Sequence, residues 1–356
     1  MGASNYYIDS IDVAMTGQRI HGGPDEHGAP LHDFSTNSNA CGPCPAALAA
    51  ITSANLTTYP DPGYAVLRTQ LSNLHGVDEG RVVFAASASE FIFRITSMVA
   101  LHQPITGHVK ARVQVPLHAY GDYASAARAC GLPIDRYDPE LECALRWHCS
   151  PSSPMGQDVG VPFDAQEARS IKVLDCAYQP LRLHSGPDAI SPQQREYLWQ
   201  LFTPNKALGL TGVRAAYAIA PVQAGDVIQQ LNDLCPSWPI GAHGVVMLQA
   251  WTNPSVQVWL GSCLITLREW KARQLALCES MGWTTLPSDA NFFCATPVLP
   301  PGLSLPEALS RLRTQGIKLR NAISFGLPGQ VRLGVLAPVA QDALHNAWLH
   351  IVKSHQ

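Results

Sequence analysis

The chain has 356 residues, of which 46% are hydrophobic and only 14% are charged, and its net charge is −3. This length exceeds the roughly 250–300 residues that one hydrophobic core supports, so we expect two domains or one large domain with a smaller lobe. The lack of a basic stripe argues against a nucleic-acid partner. No apolar run approaches the roughly 20 residues of a membrane helix, so no membrane association is predicted.

The N-terminus and the cysteines indicate a cytoplasmic protein. The opening "MGASNYYIDSIDVAM" lacks the basic and apolar regions of a secretory signal, and Tyr6 stands where a myristoylation signal needs Ser or Thr. We therefore predict a cytoplasmic location and ten reduced cysteines. The close pair Cys41 and Cys44 in "ACGPCP" favours a structural turn over a redox or zinc motif. The histidines lack metal-binding spacing, so no metal site is predicted.

Strands and helices alternate in the first half of the chain. A helix is predicted from Asp61, with Leu67 and Leu71 on its buried stripe and Gly76 as its stop. After it come the strand "RVVFAAS", the helix "ASEFIFRITSMVALH", the strand "VKARVQVPLH", the helix "DYASAARACG" and the strand "SIKVLDCAY". This alternation predicts an α/β fold with a mainly parallel sheet sandwiched by helices.

A long helix, "VWLGSCLITLREWKARQLALCESMG", leads to a C-terminal lobe read as strand, helix, strand, strand and helix. In its strand "QVRLGVL", Val331, Leu333 and Val335 share one face, so Arg332 lies on the other. There it either lines a cleft or faces solvent as an ordinary surface arginine. We predict an N-terminal arm at 1–45 that packs with the small domain, a large domain at 46–255 and a smaller α+β domain at 256–356.

Three residues form a candidate chemical centre. Asp175 ends a buried-strand pattern, Tyr178 follows it, and Lys206 lies among small and apolar residues in "FTPNKALGLTGVRAAYAIA". Ligands of open α/β sheets bind outside the carboxyl ends of the strands. An acid, a phenol and a lysine placed there can hold pyridoxal phosphate: the acid keeps the pyridine nitrogen protonated, the phenol bonds the ring oxygen and the lysine forms the Schiff base. Taken singly, Asp175 is typical of a strand-end turn or a helix cap.

Several stretches resemble the aminotransferase class I and II group of fold-type I pyridoxal-phosphate enzymes. "NKALGLTGVRAAY" is similar to its S-K-x-x-x-x-x-G-x-R block and "LDCAY" to its D-E-A-Y block, and "CSPSSPMG" stands in the place of its P-N-N-P-T-G block. The opening "HGGPDEHGAPLHDFSTNSNACGPCP" resembles that of the threonine-phosphate decarboxylases of cobalamin synthesis, close relatives of histidinol-phosphate aminotransferases. "LTTYPDPGYAVLRTQLS", "SDANFF" and "GIKLRNAISFGLPGQVRLGV" also match, so the resemblance covers most of the chain and is weak only at 133–172.

This resemblance implies a set of cofactor contacts. Lys206 would form the Schiff base, Asp175 would pair with the pyridinium and Tyr178 would donate to the phenolic oxygen. The stacking ring would be Tyr123, with Tyr120 as the alternative, although either can be an ordinary core tyrosine. The cofactor phosphate would be held at a helix N-terminus and by nearby side chains, namely by the amides of Ala88 and Ser89 and by Thr203, Asn205 and Arg214.

The resemblance also implies substrate contacts and a dimer. Arg320 and Arg332 would bind the α-carboxylate of an amino-acid substrate, because an arginine fork matches the two oxygens of a carboxylate. His21, Asn37 and Tyr59 match positions that surround the substrate phosphate in the decarboxylases. Tyr59 would come from the neighbouring subunit, since fold-type I sites form at a dimer interface. A homodimer with shared active sites is therefore expected.

Some residues depart from the family pattern. Ser153 replaces the asparagine that bonds the cofactor's ring oxygen, so that bond is lost or made through water. Cys176, Asn205 and Ala40 replace a glutamate, a serine and a proline of the family blocks, and the phosphate turn "AASASE" contains no glycine. These changes preserve the general scheme of cofactor binding but leave both its tuning and the substrate open.

Two reactions fit these residues. A decarboxylase of threonine phosphate or a similar substrate would align the bond from Cα to the carboxylate with the ring's π-system. A histidinol-phosphate-like aminotransferase would align Cα–H and move the proton through Lys206. The H-G-G opening places the decarboxylase first. A third hypothesis, a cofactor-binding protein that has lost catalysis, is motivated by the departures and opposed by the retained Lys206, Asp175, Tyr178 and Arg214.

Overall fold

A computed structural model gives the fold of residues 21–102, 111–139, 141–158, 170–184 and 190–355. The strands of its main sheet are β2 (Val82–Ala85), β3 (Val113–Val115), β4 (Ile134–Arg136), β5 (Leu145–Cys149), β6 (Ile171–Asp175), β7 (Trp199–Phe202) and β8 (Ala216–Ile219). Within the described residues this sheet has seven strands in the order β2-β8-β7-β6-β5-β3-β4. Strand β8 pairs antiparallel with β2 and β7, and the remaining neighbours are parallel.

Helices cover both faces of the main sheet. The helices of this part of the chain are α1 (Pro45–Thr52), α2 (Ala65–His75), α3 (Ala88–His102), α4 (Gly121–Ala129), α5 (Pro192–Arg195), α6 (Gly225–Asp233), α7 (Ala242–Trp251) and α8 (Pro254–Ser280). The side chains of β2 alternate between two apolar clusters. Val82 and Phe84 pack with α1, α2, α7 and α8, whereas Val83 and Ala85 pack with α3, α4 and α6. The predicted sandwich of helices around a mainly parallel sheet is confirmed.

The C-terminal lobe is a smaller α+β unit. It contains β9 (Thr284–Thr285), β10 (Phe292–Thr296), α9 (Leu305–Thr314), β11 (Ile317–Lys318), β12 (Arg320–Asn321), β13 (Val331–Gly334) and α10 (Pro338–Lys353). Four of these strands form a sheet in the order β12-β13-β10-β9. Helix α8 packs on α10, and Trp283 meets Trp348 edge to face with ring centroids 4.7 Å apart. This lobe provides the second wall of the site described below.

The segment that precedes α1 is fastened to the C-terminal lobe. Strand β1 (His32–Asp33) pairs in parallel with β11. The Asp25 carboxylate accepts hydrogen bonds of 2.9 Å and 2.7 Å from Arg313 and lies 3.0 Å from Nζ of Lys318. Both cations lower the pKa of Asp25, Arg313 first. The boundaries of the three predicted parts, at 45 and 255, stay a prediction.

Two helix boundaries differ from the sequence expectation. Helix α2 begins at Ala65 rather than at Asp61, because the Asp61 carboxylate accepts the amides of Gly63 and Ala65 at 3.1 Å and 2.7 Å and forms a turn before the helix. Helix α8 begins at Pro254, before the predicted start, and the Asn253 side chain caps it by accepting the Ser255 amide. Strand β3 is shorter than predicted, and positions 109 and 110 of that expectation lie outside the described residues.

Four features of the described residues bear on the expectations from sequence. All ten cysteines lie in the described residues and are free thiols. Cys41 and Cys44 belong to a turn that leads into α1, and Gly42 between them has a φ of 89°. The part of the chain that the structure describes contains no group of His, Cys, Asp and Glu side chains arranged to hold a metal ion. None of its helices is long and apolar enough to cross a bilayer.

Candidate active site

A cleft of about 840 Å³ lies between the carboxyl ends of the main-sheet strands and the C-terminal lobe. This volume is in the upper part of the range of small-molecule sites. The structure brings most of the sequence-predicted residues to its walls. They are His21, Asn37, Ala88, Ser89, Ser153, Asp175, Tyr178, Thr203, Asn205, Lys206, Arg214, Arg320 and Arg332. Tyr59 and Tyr123 do not line it.

Asp175 is held rigidly at the carboxyl end of β6. Its side chain is 5% exposed. One carboxylate oxygen accepts a 2.6 Å hydrogen bond from the hydroxyl of Tyr123, and the other accepts a 2.9 Å bond from the amide of Ala177. The carboxylate therefore faces the cleft in a fixed orientation, which a partner for a protonated ring nitrogen requires.

Lys206 lies in the loop between β7 and β8, at the same edge of the sheet. Its Nζ is 4.9 Å from the centroid of the Tyr178 ring. The loop is fastened from outside, because the Lys206 carbonyl accepts the amide of Asn39 at 2.9 Å. Gly209, with a φ of 68°, turns the chain so closely that an added Cβ would lie 2.6 Å from the carbonyl oxygen of Gly42. Among the described residues no carboxylate pairs with Lys206.

The N-terminus of α3 is prepared to bind an anion. The Ser87 hydroxyl accepts the amide of Glu90 at 3.1 Å, and the Glu90 carboxylate accepts the amide of Ala86 at 3.1 Å. These two bonds leave the amides of Ala88 and Ser89 without a protein partner in the described residues. The spacing S-x-x-E in "SASE" is that of a capping box, but Glu90 accepts the amide of Ala86 instead of that of Ser87.

The loop that carries Lys206 contributes further polar groups. Asn205 uses both ends of its amide within the loop: it accepts from the Thr203 hydroxyl at 2.6 Å and donates to the carbonyl of Val213 at 3.2 Å. Its observed contacts therefore fasten the loop. Arg214 is exposed at the cleft wall, and no acid pairs with it in the described residues.

The tyrosine that faces the cleft is Tyr120, the alternative, and not Tyr123, the residue first expected to stack on the cofactor. Tyr123 is fully buried, stacks on Trp147 with centroids 4.5 Å apart and bonds to Asp175. Its ring is thus on the protein side of Asp175 and does not face the cleft. The alternative, Tyr120, lines the cleft, and its hydroxyl is 3.2 Å from that of Ser89. Burial, followed by the charge of Asp122, raises the pKa of Tyr120, so its hydroxyl stays protonated and can donate.

Two arginines of the C-terminal lobe share one face of its sheet. The register of β12 and β13 places Arg320 opposite Arg332. Arg332 donates to the carbonyl of Ser35 at 2.9 Å, and Arg320 donates to the hydroxyl of Ser324 at 2.7 Å. The centroid of Phe325 lies 4.8 Å from Cζ of Arg320 and 5.4 Å from that of Arg332. Burial, followed by the charge of Arg332, lowers the pKa of Arg320 to about 10, so an anion bound here would stabilise the pair.

The polar groups near Tyr178 include one unused acceptor. Asn37 donates through Nδ2 to the Tyr178 hydroxyl at 3.3 Å. Its Oδ1 is buried without a partner in the described residues, as is Nε of Arg332. Ser153 lines the cleft and is itself buried. Because a buried polar atom without a partner is costly, these atoms mark where a ligand is accommodated.

The remaining two substrate candidates lie at the periphery. His21 is exposed at the cleft wall, with its ring centroid 6.5 Å from that of Tyr120. Tyr59 is 78% exposed and stacks on Trp238 at 4.5 Å. Within one chain Tyr59 does not reach the cleft, so its assignment to a neighbouring subunit's site stays a prediction.

Residues missed by the sequence reasoning also line or join the cleft. His118, in the loop after β3, lies with Nδ1 2.8 Å from the carbonyl oxygen of Phe325 and so connects the large domain to the C-terminal lobe. Arg128 and Arg136 line an outer part of the cleft. No local motif distinguishes these residues from ordinary surface residues.

The donor set of the cleft fits an anionic aromatic ring. Asp175 is oriented for a ring nitrogen, Lys206 is free of acids in the described part of the chain, and unpaired amides and Arg214 suit a phosphate. A mainly parallel α/β sheet with a lysine and a fixed carboxylate at its carboxyl edge defines an enzyme of the lysine-dependent, cofactor-assisted class.

The chain belongs to the aminotransferase class I and II family, whose pattern residues 29–351 match. It is therefore a pyridoxal-phosphate-dependent enzyme. The histidinol-phosphate aminotransferase of Jannaschia sp. (strain CCS1) is 24% identical over 354 residues, which cover 92% of each chain.

Two crystal structures illustrate the fold. Histidinol-phosphate aminotransferase from Sinorhizobium meliloti, in complex with pyridoxal-5'-phosphate, has a TM-score of 0.76 at 19% identity and covers 100% of both chains. L-threonine-O-3-phosphate decarboxylase from Porphyromonas gingivalis has a TM-score of 0.72 at 17% identity, over 90% of this chain and 99% of that one. The expected fold-type I architecture is confirmed.

Proposed function

We propose that this protein is an aminotransferase of the histidinol-phosphate type, whose amine substrate carries an anionic group. The observation that carries the proposal is Lys206, unpaired in the described residues and 4.9 Å from the Tyr178 ring, at the sheet edge that also holds Asp175. A histidinol-phosphate aminotransferase matches 92% of this chain, whereas the likeness to the decarboxylase concerns the fold alone. The order of our two reaction hypotheses is therefore reversed.

The chain's own residues suit the cofactor of its family. Pyridoxal phosphate, when bound, supplies a protonated ring that withdraws electrons from the substrate's Cα. Asp175 would face the ring nitrogen and Tyr178 the phenolic oxygen, with Ser153 nearby. Tyr120 takes over the stacking role from Tyr123. The phosphate is assigned to the amides of Ala88 and Ser89, Thr203 and Arg214, while Asn205 holds the loop that presents them.

Lys206 is the group assigned to move the proton. A general acid–base must reach the reacting carbon and must not be neutralised by a fixed partner. Lys206 meets the second condition in the described residues, and the bond from Asn39 to its carbonyl fixes the backbone from which the amine reaches into the cleft. In transamination its Nζ would take the proton from the substrate's Cα and deliver it to the carbon on the other side of the substrate nitrogen, the one that the cofactor's aldehyde supplies.

The residues that would bind the polar and anionic parts of the substrates lie in the C-terminal lobe and in the predicted N-terminal arm. Arg320 and Arg332 present adjacent guanidinium groups to the cleft, which suits a carboxylate or phosphate. Asn37 supplies a buried acceptor for an amine or a hydroxyl, and His21 lies at the rim. We further propose a cytoplasmic homodimer in which Tyr59 completes the neighbouring site, because this exposed aromatic side chain does not reach the cleft of its own chain.

An assay with two readouts tests this function. Purified protein is mixed with 2-oxoglutarate and either histidinol phosphate or threonine phosphate, and glutamate and carbon dioxide are measured. Glutamate formation without carbon dioxide is expected. Carbon dioxide from threonine phosphate would restore the decarboxylase, and neither product with any amine of a broad panel would favour a protein that has lost catalysis.

A further inference from the structure

The cleft continues beyond Tyr120 as an arm that no proposed cofactor or substrate contact uses. Helix α4 forms one wall, with Ser125 and Arg128 on the side that faces the arm. Strand β4 and the carboxyl end of β3 with the loop after it form the other wall, with Val115, Leu117, Ile134 and Arg136. We name this region, bounded by these six residues, the outer arm.

Arg136 contributes a half-buried positive charge to the outer arm. It is the last residue of β4 and is half-buried. One terminal nitrogen donates to the carbonyl of Pro116 at 2.8 Å, and burial alone lowers the pKa of Arg136. No acid pairs with it in the described residues. Arg112 shows the contrast: it donates two 2.6 Å hydrogen bonds to Asp135, the residue that precedes Arg136.

Arg128 adds a second positive charge to the same arm. Its guanidinium lies 3.3 Å from the Ser125 hydroxyl, is exposed, and has no acid partner in the described residues. The nearest acid that lines the cleft on this helix is Asp122, whose charge acts on Tyr120 at the inner end. A half-buried arginine without an acid partner, lining the same cleft as a second arginine, favours the binding of an anion.

The sheet order fixes how far this anion site lies from the chemical centre. Asp175 ends β6 and Arg136 ends β4, and the order β6-β5-β3-β4 separates them by three strand spacings. At about 4.8 Å per spacing, the two strand ends are about 14 Å apart. Val115, the last residue of the intervening strand β3, adds apolar surface to this wall of the cleft, and Ile134 adds more on β4, two residues before Arg136. A ligand that spans this distance needs an extended, mainly apolar body with a negative charge at its far end.

We propose that the outer arm binds the distal anionic end of an elongated substrate, an amino acid whose long apolar side chain ends in a carboxylate or phosphate. This proposal rests on the proposed function, since the amino end of the same molecule would react at Lys206. Arg136 and Arg128 would take the distal anion, while Arg320 and Arg332 take the anion nearest to the reacting carbon. The outer arm therefore makes substrate length a determinant of specificity.

A series of amino acids of graded length tests the proposal. The holoenzyme is assayed with aspartate, glutamate, 2-aminoadipate, 2-aminopimelate and 2-aminosuberate, and binding is measured in parallel by calorimetry. Wild-type affinity and kcat/KM are expected to rise towards the longer members. Because a hydrogen-bonded charge pair is lost, Arg136→Gln should lower the ratio of kcat/KM for 2-aminosuberate to that for aspartate about tenfold. Arg128→Gln should lower this ratio in the same direction.

Two controls separate charge recognition from structural damage. Arg112→Gln removes an arginine that immediately precedes β3 and does not line the cleft, and it should leave the ratio unchanged. The ω-amide of 2-aminosuberate should bind as weakly to wild type as the diacid binds to Arg136→Gln. If Arg136→Gln alters the visible spectrum of the bound cofactor, Arg136→Lys is used in its place. This variant keeps the positive charge and should recover part of the ratio of kcat/KM.

The outcomes distinguish the two proposals. If short and long members react equally well, or if Arg136→Gln slows all members equally, the outer arm is not an anion site. If no member is transaminated but the long diacids still bind with a dependence on Arg136, the outer arm stands and the proposed function fails. If neither reaction nor Arg136-dependent binding occurs, both are overturned.

Discussion

The hydroxyl of Tyr123 donates a 2.6 Å hydrogen bond to the Asp175 carboxylate. Asp175 is buried, and Tyr123 has no exposed surface. The bond therefore lies behind the carboxylate and leaves its other side to the cleft. Tyr123 orients the group that the cofactor ring needs, instead of stacking on that ring.

Tyr123→Phe should weaken both folding and cofactor binding. A hydrogen bond to a buried charge contributes about 1.5–3 kcal/mol, and the variant leaves one carboxylate oxygen without its donor. We expect a loss of this size in the free energy of unfolding of the apoprotein, together with a higher Kd for pyridoxal phosphate. Tyr120→Phe is the matched control, because it keeps the ring assigned to stacking and removes only a hydroxyl 3.2 Å from that of Ser89, so both the stability of the apoprotein and the Kd should change less. Equal effects of both changes would contradict the assignment.

Gly209→Ala should displace the loop that carries Lys206. The φ of Gly209 is 68°, and an added Cβ would meet the Gly42 carbonyl oxygen at 2.6 Å. We expect a stability loss of about 1–3 kcal/mol and weaker cofactor binding, measured by denaturation and by titration of the visible spectrum. Gly212→Ala is the control in the same loop, because an added Cβ there would meet nothing within 4 Å. A stable Gly209→Ala protein with normal cofactor binding would show that the loop is not constrained as described.

His118 should position the carboxylate-binding arginines without touching the substrate. Its Nδ1 lies 2.8 Å from the carbonyl oxygen of Phe325, so this nitrogen is the donor. The ring of Phe325 in turn contacts Arg320 and Arg332. His118→Leu removes the bond, and we expect KM to rise about fivefold at nearly constant kcat, because a single hydrogen bond contributes about 1 kcal/mol.

His118→Asn provides the test of that mechanism. The Nδ2 of asparagine can take the place of Nδ1 as a donor to the Phe325 carbonyl, so this variant should recover most of the wild-type KM. If asparagine and leucine raise KM equally, His118 acts only through the bulk of its ring.

His75 should make stability depend on mildly acidic pH. Its Nε2 lies 2.9 Å from the Tyr217 hydroxyl oxygen; this oxygen accepts from Trp251, so its own proton is available to a neutral His75. Burial, followed by the charge of Arg195, lowers the pKa of His75 from 6.5 to about 4. The unfolded chain therefore binds a proton here between pH 6.5 and about 4 and the folded chain does not, so stability falls as the pH falls through this window.

His75→Gln removes this titration and keeps an acceptor for Tyr217. Urea midpoints of both proteins are compared between pH about 7 and about 5. The wild-type midpoint should fall more steeply than that of the variant. Parallel profiles would show that His75 titrates normally in the folded protein.

The sequence predicted most of the architecture because hydrophobic periodicity marks buried elements directly. The predicted helix α3 coincides with Ala88–His102, and the three residues singled out by their motifs, Asp175, Tyr178 and Lys206, all line the cleft. Strands β7 and β8 were overlooked, because their short apolar runs flank the Lys206 motif and read as part of it. The start of α2 was misplaced, because a side chain of Asp61 that closes a turn resembles a helix cap.

The sequence did not predict which side chains contact each other in the folded protein. Tyr120 and Tyr123 are three residues apart, and only the packing of Tyr123 against Trp147 decides which ring faces the cleft. The bond between His118 and Phe325 joins residues 207 positions apart. The outer arm depends on strand order, which the chain sequence does not encode locally.

The most direct test of the account is to locate the covalent attachment of pyridoxal phosphate. The holoprotein is reduced with borohydride, digested, and its peptides are weighed by mass spectrometry, alongside Lys206→Ala treated in the same way. The account predicts a phosphopyridoxyl group on Lys206 in the wild type and no modified lysine in the variant. Modification of a different lysine, or unchanged labelling of Lys206→Ala, would contradict it.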